Sequence, residues 1–184
     1  MITAILERHS TTLVSLEVEF SAITDYGLEL VSQQATALKH LGLAGCLSLN
    51  HNVLKRFLIA GLPDSIESLD LRWLMDVELI WVEQMLLRRE ARRCLKVKSE
   101  ERGGNGRSKA ARGQQPIARI KRLDLRFCDL VLAQDVERLR RMFPEVEIYH
   151  IPKARGMYKL GLEGRYFDWI QSVSGGVMGN GGFM

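Results

Sequence analysis

The chain has 184 residues, of which 46% are hydrophobic and 26% charged, and its formal net charge at pH 7 is +4. These proportions fit one globular domain or one repeat array. The longest strongly apolar region, Val77 to Leu87, is interrupted by Glu78, Glu83 and Gln84, and the first twenty residues lack the order of a signal peptide. The sequence therefore predicts no membrane association and an intracellular location, cytoplasmic or nuclear.

A leucine-rich pattern occurs four times. The segment Leu38 to Cys46 fits the consensus L-x-x-L-x-L-x-x-C at every defined position, and so does Ile120 to Cys128 with isoleucine as its first aliphatic residue. Leu13 to Ser21 and Ile66 to Leu74 keep an aliphatic residue at each leucine position and differ at the last position, where Ser and Leu replace Cys. Such repeats predict an α/β fold, a right-handed leucine-rich-repeat solenoid or horseshoe, with a parallel sheet on the concave side and helices on the convex side.

The first two units are predicted in chain order from their apolar periodicity. Met1 to Ser10 has the spacing of a helix, and the first strand begins at Leu13. Asp25 is predicted to cap the helix that follows. The helix of the second unit is predicted to end at Gly61, before Pro63. Because nothing at the N-terminus resembles a dedicated cap, we expect the chain to be the tail of a longer protein.

The later units repeat this design. Asp76 is predicted to cap a long helix that ends near Lys96, and Val146 and Ile148 are predicted to form a fifth strand at the edge of the sheet. The apolar stripe predicted for the long helix after Asp76 consists of Leu79, Val82 and Leu86, and the stripe predicted for the helix of the fourth unit consists of Leu132, Val136, Leu139 and Phe143.

The spacing between units leaves two interpretations of the region after the third unit. The central leucines at 16, 41, 69 and 123 are separated by 25, 28 and 54 residues. Either the connection between units three and four is enlarged, or a decayed repeat lies there, with Leu95 and Val97 as the remnant of its strand. The enlarged connection is favoured because Gly103 to Lys109 has neither apolar period.

The domain prediction follows from these elements. Residues 1–152 form the repeat domain, with a flexible basic insertion at about 98–117. The stretch Arg88 to Arg122 carries 13 basic and 3 acidic residues, a net charge of +10, so the rest of the chain is acidic. Residues 153–184 follow as a C-terminal segment. Two interpretations of its aromatic residues stay open: they pack over the open end of the array as a cap, or they have no capping role. Ser174 to Gly182 is predicted to be a disordered, Gly-rich tail.

The three cysteines argue against a disulfide framework and favour a reducing compartment. Cys46 and Cys128 fall at an inward repeat position, and no ligand spacing such as C-x-x-C occurs. Cys94 follows a run of arginines that could lower its pKa, although an ordinary thiol at a helix end is the simpler interpretation. The sequence predicts no metal site and no cofactor.

Side-chain alternation turns repeat positions four and six inward and positions five and seven outward, onto the concave face. Position five then holds Glu17, Gly42, Asp70, Asp124 and Glu147. Position seven holds Glu19, Ala44, Arg72, Arg126 and Tyr149, and position eight holds Phe20, Gly45, Trp73, Phe127 and His150.

Two interpretations of these columns stay open. The arginines and aspartates can form a solvated charge ladder and the aromatic residues can pack against the turn, or the strip can be a binding surface for a peptide or domain with basic and apolar groups. The predicted partner-binding residues are Glu17, Asp70, Arg72, Trp73, Asp124, Arg126, Phe127 and Tyr149.

The run Ile23-Thr24-Asp25-Tyr26-Gly27-Leu28 after one strand, with Cys46 and Cys128 ending two others, resembles the cysteine-containing leucine-rich repeats of F-box proteins. The resemblance covers Leu13 to Ile151 but departs from the I-T-D pattern at Asn50 to Val53 and at Leu130 to Ala133. It implies recognition of a protein substrate for a ubiquitin ligase. The sequence contains no F-box, so a Skp–cullin ligase is an expected partner only if an F-box precedes Met1.

Two other classes of function are weaker. The four histidines occupy unrelated repeat positions and none accompanies a nucleophile, so no catalytic residue is predicted and the chain is not expected to be an enzyme. The alternative function is non-specific phosphate binding by a nucleic-acid-associated protein through the basic insertion. It is disfavoured because the insertion has no aromatic residue to stack on bases.

Overall fold

The computed structural model of the protein describes residues 2–9, 11–102 and 117–151. All of them belong to one compact unit, Met1–Pro152. Most of the basic insertion and the whole C-terminal segment, 153–184, lie outside the described residues, and so do the predictions of a flexible insertion, a cap and a disordered tail.

Strands and helices alternate along the described chain. The five strands have three residues each: β1 Ser15–Glu17, β2 His40–Gly42, β3 Ser68–Asp70, β4 Arg122–Asp124 and β5 Glu147–Tyr149. The helices are α1 Ile2–His9, α2 Asp25–Gln34, α3 His51–Arg56, α4 Leu79–Arg102 and α5 Ala133–Met142, and a π-helical turn, Phe57–Gly61, extends α3. Among the described residues, no helix is long and apolar enough to cross a membrane.

The five strands form one open, all-parallel sheet in the order β1-β2-β3-β4-β5. The predicted α/β class with a parallel sheet is therefore confirmed. β3 pairs directly with β4, and Leu95 and Val97 belong to α4. The chain between units three and four is thus an enlarged connection, which begins with a helix that ends at Arg102 instead of near Lys96.

One continuous core joins the strands to the helices. The central residue of every strand is buried and aligned with its neighbours: Leu16, Leu41, Leu69, Leu123 and Ile148. Buried residues of the helices, such as Leu28, Val82 and Leu139, belong to the same cluster. Because side chains alternate along a strand, this packing turns positions five and seven away from the core.

Two predictions about helix starts are wrong. Thr24, and not Asp25, caps α2, because its Oγ1 accepts a hydrogen bond from the Gly27 amide at 3.3 Å. The Asp25 carboxylate accepts the Asn50 amide of the next unit at 2.9 Å. Asp76 lies in a turn before α4, which begins only at Leu79.

Leu132 precedes α5 and is 53% exposed, so it does not join the apolar stripe of that helix.

A buried arginine attaches α4 to the connections on either side of it. Arg89 is 4% exposed, and its guanidinium donates to the carbonyl oxygens of Pro63, Asp64, Ile66 and Ala118 at 2.9 to 3.1 Å. Burial lowers the pKa of Arg89 to about 10, which still leaves it protonated at neutral pH. These bonds hold the chain before β3 and the chain before β4 against the same helix.

Candidate functional site

A groove on the side of the sheet away from the core brings together six of the eight predicted site residues. We call it the sheet-face groove; from the predicted set it is lined by Glu17, Asp70, Arg72, Asp124, Arg126 and Tyr149. Glu19, His40, Gly42 and Arg122 also line it. The two remaining predicted residues, Trp73 and Phe127, do not line the groove.

The last strand is shifted by two residues relative to its predicted position. Tyr149 pairs with Asp124, and Glu147 pairs with Arg122. Tyr149 therefore occupies position five, not seven, and Glu147 is not a member of the position-five column. A shift of two residues keeps every side chain on its side of the sheet, so the alternation of Val146 and Ile148 could not distinguish the two registers.

Arg72 ties three carboxylates of the groove together. Its Nε donates to Oδ1 of Asp70 at 2.9 Å, and its Nη2 donates to Oε1 of Glu19 at 2.7 Å. The Asp124 carboxylate lies 3.7 Å from Nε. The hydrogen bond to Asp70 is the main reason that the pKa of Arg72 is raised, so this guanidinium is charged at neutral pH.

Asp124 and Arg126 repeat the arrangement one strand further. Arg126 donates from Nε to Oδ1 of Asp124 at 2.9 Å and from Nη2 to Oδ2 at 2.6 Å, which raises the pKa of Arg126. In both pairs the aspartate also accepts the backbone amide of its own arginine, at 3.0 Å in Asp70 and 3.2 Å in Asp124. The charge ladder is therefore present, and the aspartates shape the backbone as well as the charge.

The residue that follows the ladder adopts a left-handed backbone in four consecutive units. Phe20, Gly45, Trp73 and Phe127 have φ values of 50°, 64°, 62° and 65°. Aromatic residues rarely adopt this conformation, which costs roughly 1 kcal/mol or more each. A Cβ at Gly45 would overlap the Phe20 ring, and the rings of Trp73 and Phe127 stack with centroids 4.2 Å apart. These aromatic residues pack along the turn instead of facing the groove.

Gly42 leaves a recess in the floor of the groove. It is aligned with Glu17 on one side and Asp70 on the other, and a Cβ placed on it would lie 3.4 Å from Cγ of Glu17. That distance is an ordinary contact, and Gly42 does not have a positive φ, so the backbone there can accept a side chain. Within the described residues, Glu17 is the groove carboxylate that makes no hydrogen bond or ion pair.

Two cysteine thiols lie beneath the ladder. Cys46 donates to the Val18 carbonyl at 2.9 Å and Cys128 donates to the Leu71 carbonyl at 3.1 Å, so each thiol bonds to the residue that directly follows the preceding strand. Burial raises the pKa of Cys46, and it raises the pKa of Cys128 to about 12. These thiols stay protonated near neutral pH and act as hydrogen-bond donors, not nucleophiles.

Different features of the sequence could have identified the groove residues outside the predicted set. Glu19 stands at position seven, the same column as Arg72, and this column could have identified it. His40 and Arg122 are at position three, aligned through Ser68 of β3. Among the described residues, no three His, Cys, Asp or Glu side chains are grouped closely enough to hold a metal ion.

Neither a protein-family model nor a curated protein matches this sequence. The functional proposal is therefore based on the geometry of the groove.

Proposed function

We propose that the chain is a leucine-rich-repeat solenoid and that its sheet-face groove binds another protein. Support for the repeat comes from features that recur at one register: the buried leucine of each strand, the left-handed residue at position eight and the buried thiols of units two and four. Support for binding comes from the groove, where charged side chains of both signs surround an uncovered recess.

The observation that carries the proposal is the Glu17 carboxylate beside the recess, which is unpaired within the described part of the chain. Arg72 and Arg126 are occupied by their own carboxylates, and Arg122 lies 3.5 Å from Glu147. Among the described residues Glu17 has no such neighbour, and it lies next to the space above Gly42. We propose that an extended segment of the partner places a lysine or arginine side chain in this recess, where Glu17 and Asp70 flank it.

The resemblance to F-box proteins adds a cellular role to the proposal. In that role the groove selects a substrate for a ubiquitin ligase, and a Skp–cullin ligase takes part only through an F-box outside this sequence. The alternative of phosphate binding through the basic insertion stays a prediction, because most of that insertion lies outside the described residues.

Peptide selection tests the groove directly. We expect a random peptide library displayed on phage and selected on the full chain to yield peptides that contain lysine or arginine. Replacing Glu17 with Gln should weaken their binding about ten-fold, which corresponds to about 1.4 kcal/mol, when dissociation constants are measured by fluorescence anisotropy. Gly42→Val should abolish binding, because the added methyl groups fill the recess.

The controls separate binding from folding. Glu29 is an exposed carboxylate on α2, away from the groove, so Glu29→Gln should bind as the wild type does. Gly42→Val should keep its unfolding transition, since a Cβ is accommodated there and valine favours strands. Selected peptides that bind Glu17→Gln and Gly42→Val as tightly as the wild type would exclude the groove as the binding site.

A further inference from the structure

The solvent-facing side of α4 carries several apolar side chains together with the exposed polar residue Gln84. The helix packs on the core through Val82, Met85 and Leu86. Its exposed side chains include Ile80 and Leu87, each 46% exposed, and Leu95, 68% exposed. Ala91 and Cys94 are exposed between the two leucines. We call this set the α4 stripe: Ile80, Leu87, Ala91, Cys94 and Leu95.

The helical period places the stripe opposite the core. Successive residues turn by about 100°, so the stripe residues cluster about half a turn away from the core-facing ones. A helix on a protein surface normally carries polar residues there. The residues Ile80, Gln84, Leu87, Ala91 and Cys94 are spaced by four and three residues in turn, which is the spacing of the heptad seam of paired helices, with Gln84 as its one polar member. The small Ala91 at the centre leaves room for a second helix axis at about 8 to 10 Å.

The charges beside the stripe differ between its two flanks. On one flank Glu83 pairs with Arg138 at 2.8 Å and Glu90 pairs with Arg93 at 2.8 Å, so both carboxylates are occupied. On the other flank Arg92 lies 3.0 Å from Asp64. Arg88 is exposed, and its guanidinium has no ion pair or hydrogen bond with the described residues. The uncompensated charge beside the stripe is therefore positive.

We propose that the α4 stripe docks an acidic amphipathic helix of another protein. Leucines of that helix would pack between Leu87 and Leu95 over Ala91, and its carboxylates would pair with Arg88. This surface is distinct from the sheet-face groove and does not depend on the function proposed for it.

Other occupants fit the stripe less well. A second copy of the chain would bring two positively charged flanks together, which opposes pairing of one α4 with another. A lipid surface favours bulky apolar and aromatic side chains, but Ala91 and Cys94 occupy the centre of the stripe. A nucleic acid would gain from the arginines and would leave the leucines uncovered.

The first experiment uses two designed peptides and the full chain. One is a three-heptad helix with leucine at the seam positions and glutamate beside them; the other carries lysine in place of the glutamates. We expect fluorescence anisotropy to show the acidic peptide binding at least about ten-fold more tightly. Equal affinities, or no binding of the acidic peptide, would overturn the proposal.

Cys94 provides a second readout within the stripe. It is the exposed cysteine of the three in the chain, since Cys46 and Cys128 are each 1% exposed. A saturating amount of the acidic peptide should slow maleimide labelling of Cys94 several-fold, and the lysine peptide should not. Binding that leaves the labelling rate unchanged would place the peptide elsewhere and contradict the proposal.

Single substitutions assign the apolar and the charged contributions. Leu87→Ser should weaken the acidic peptide about ten-fold or more, whereas Leu130→Ser should not, because Leu130 is similarly exposed at 51% but lies outside α4. Arg88→Glu should shift the preference towards the lysine peptide. Unchanged affinities in both Leu87→Ser and Arg88→Glu would overturn the proposal.

Two further outcomes would replace the proposed partner with another. Sedimentation that shows a dimer, dispersed by Leu87→Ser, would identify a second copy as the occupant. Binding to phosphatidylserine vesicles that requires Leu87, together with no preference between the peptides, would identify a lipid surface. Either result overturns the acidic-helix proposal.

Discussion

The sheet-face groove and the α4 stripe differ in how far their side chains are already satisfied within the protein. In the groove, Arg72 and Arg126 are hydrogen-bonded to Asp70 and Asp124, so most of the charge is compensated before any partner arrives. In the α4 stripe, apolar side chains face solvent with no such compensation. Binding at the two surfaces should therefore have different physical origins.

This difference predicts different selectivity. A partner at the groove gains little from the occupied arginines and must use the recess over Gly42 and Glu17, whose carboxylate is unpaired among the residues that the structure describes. A partner at the stripe gains from removing Leu87 and Leu95 from water, roughly 25 cal/mol for each Å² of apolar area buried. We expect groove binding to depend on the position of one cation and stripe binding to depend on apolar area.

The largest expected effect distinguishes the stripe from the core. Leu86 is 4% exposed and Leu87 is 46% exposed, although they are neighbours on α4. Leu86→Ala should lower the free energy of unfolding by about 2 to 4 kcal/mol because it leaves a cavity. Leu87→Ala should change it by less than about 0.5 kcal/mol, apart from any effect on binding. Urea denaturation measures both values.

Similar losses in the two variants would mean that Leu87 supports the fold. The stripe would then be an extension of the core, and the contrast with the groove would disappear.

The contrast also shows what the sequence could predict. The strand order followed from the leucine period, because each strand has the same buried centre and each helix a matching stripe. The face of α4 that packs on the core was also identified, through Leu79, Val82 and Leu86. The apolar character of the opposite face was not predicted, because a helix with apolar residues on both sides does not reveal which side lacks a neighbour.

The structure brings together the predicted groove residues of β1 to β4, because these four strands are aligned in the predicted register. Tyr149 was misplaced because an alternating pattern is unchanged by a shift of two residues. Trp73 and Phe127 were expected in the binding strip, but the left-handed turn directs them against each other. The bond between Arg72 and Glu19 joins residues far apart in the chain, and only the three-dimensional arrangement reveals it.

An intermediate effect tests whether the groove carboxylates belong to the fold. Asp124 is 9% exposed and accepts both the backbone amide and the guanidinium of Arg126. Asp124→Ala should therefore cost about 1 to 2 kcal/mol of stability, since it removes charge-assisted hydrogen bonds that shape the turn. Glu147→Ala is the control: its side chain is 63% exposed and pairs loosely with Arg122, so the cost should be below about 0.5 kcal/mol.

The result is measured by urea denaturation at low and at high salt. An equally small cost for both variants would show that the ladder is only a solvated surface, and the groove arginines would then be free to bind a partner.

The smallest effect concerns the cysteines, which differ between the two regions. Cys128 lies under the groove ladder with its pKa raised from about 9 to about 12, whereas Cys94 is exposed in the stripe. A raised pKa means that the folded protein keeps a proton that the unfolded chain releases. The stabilising effect is therefore complete below about pH 9 and is lost as the pH rises from about 9 towards 12.

Between about pH 9 and pH 10.5 the free energy of unfolding should fall by about 1 kcal/mol per pH unit on account of Cys128. Urea denaturation at several pH values should thus give Cys128→Ala a shallower slope than the wild type, while Cys94→Ala keeps the wild-type slope. Equal slopes in all three proteins would mean that burial does not raise the pKa of the Cys128 thiol in the folded protein.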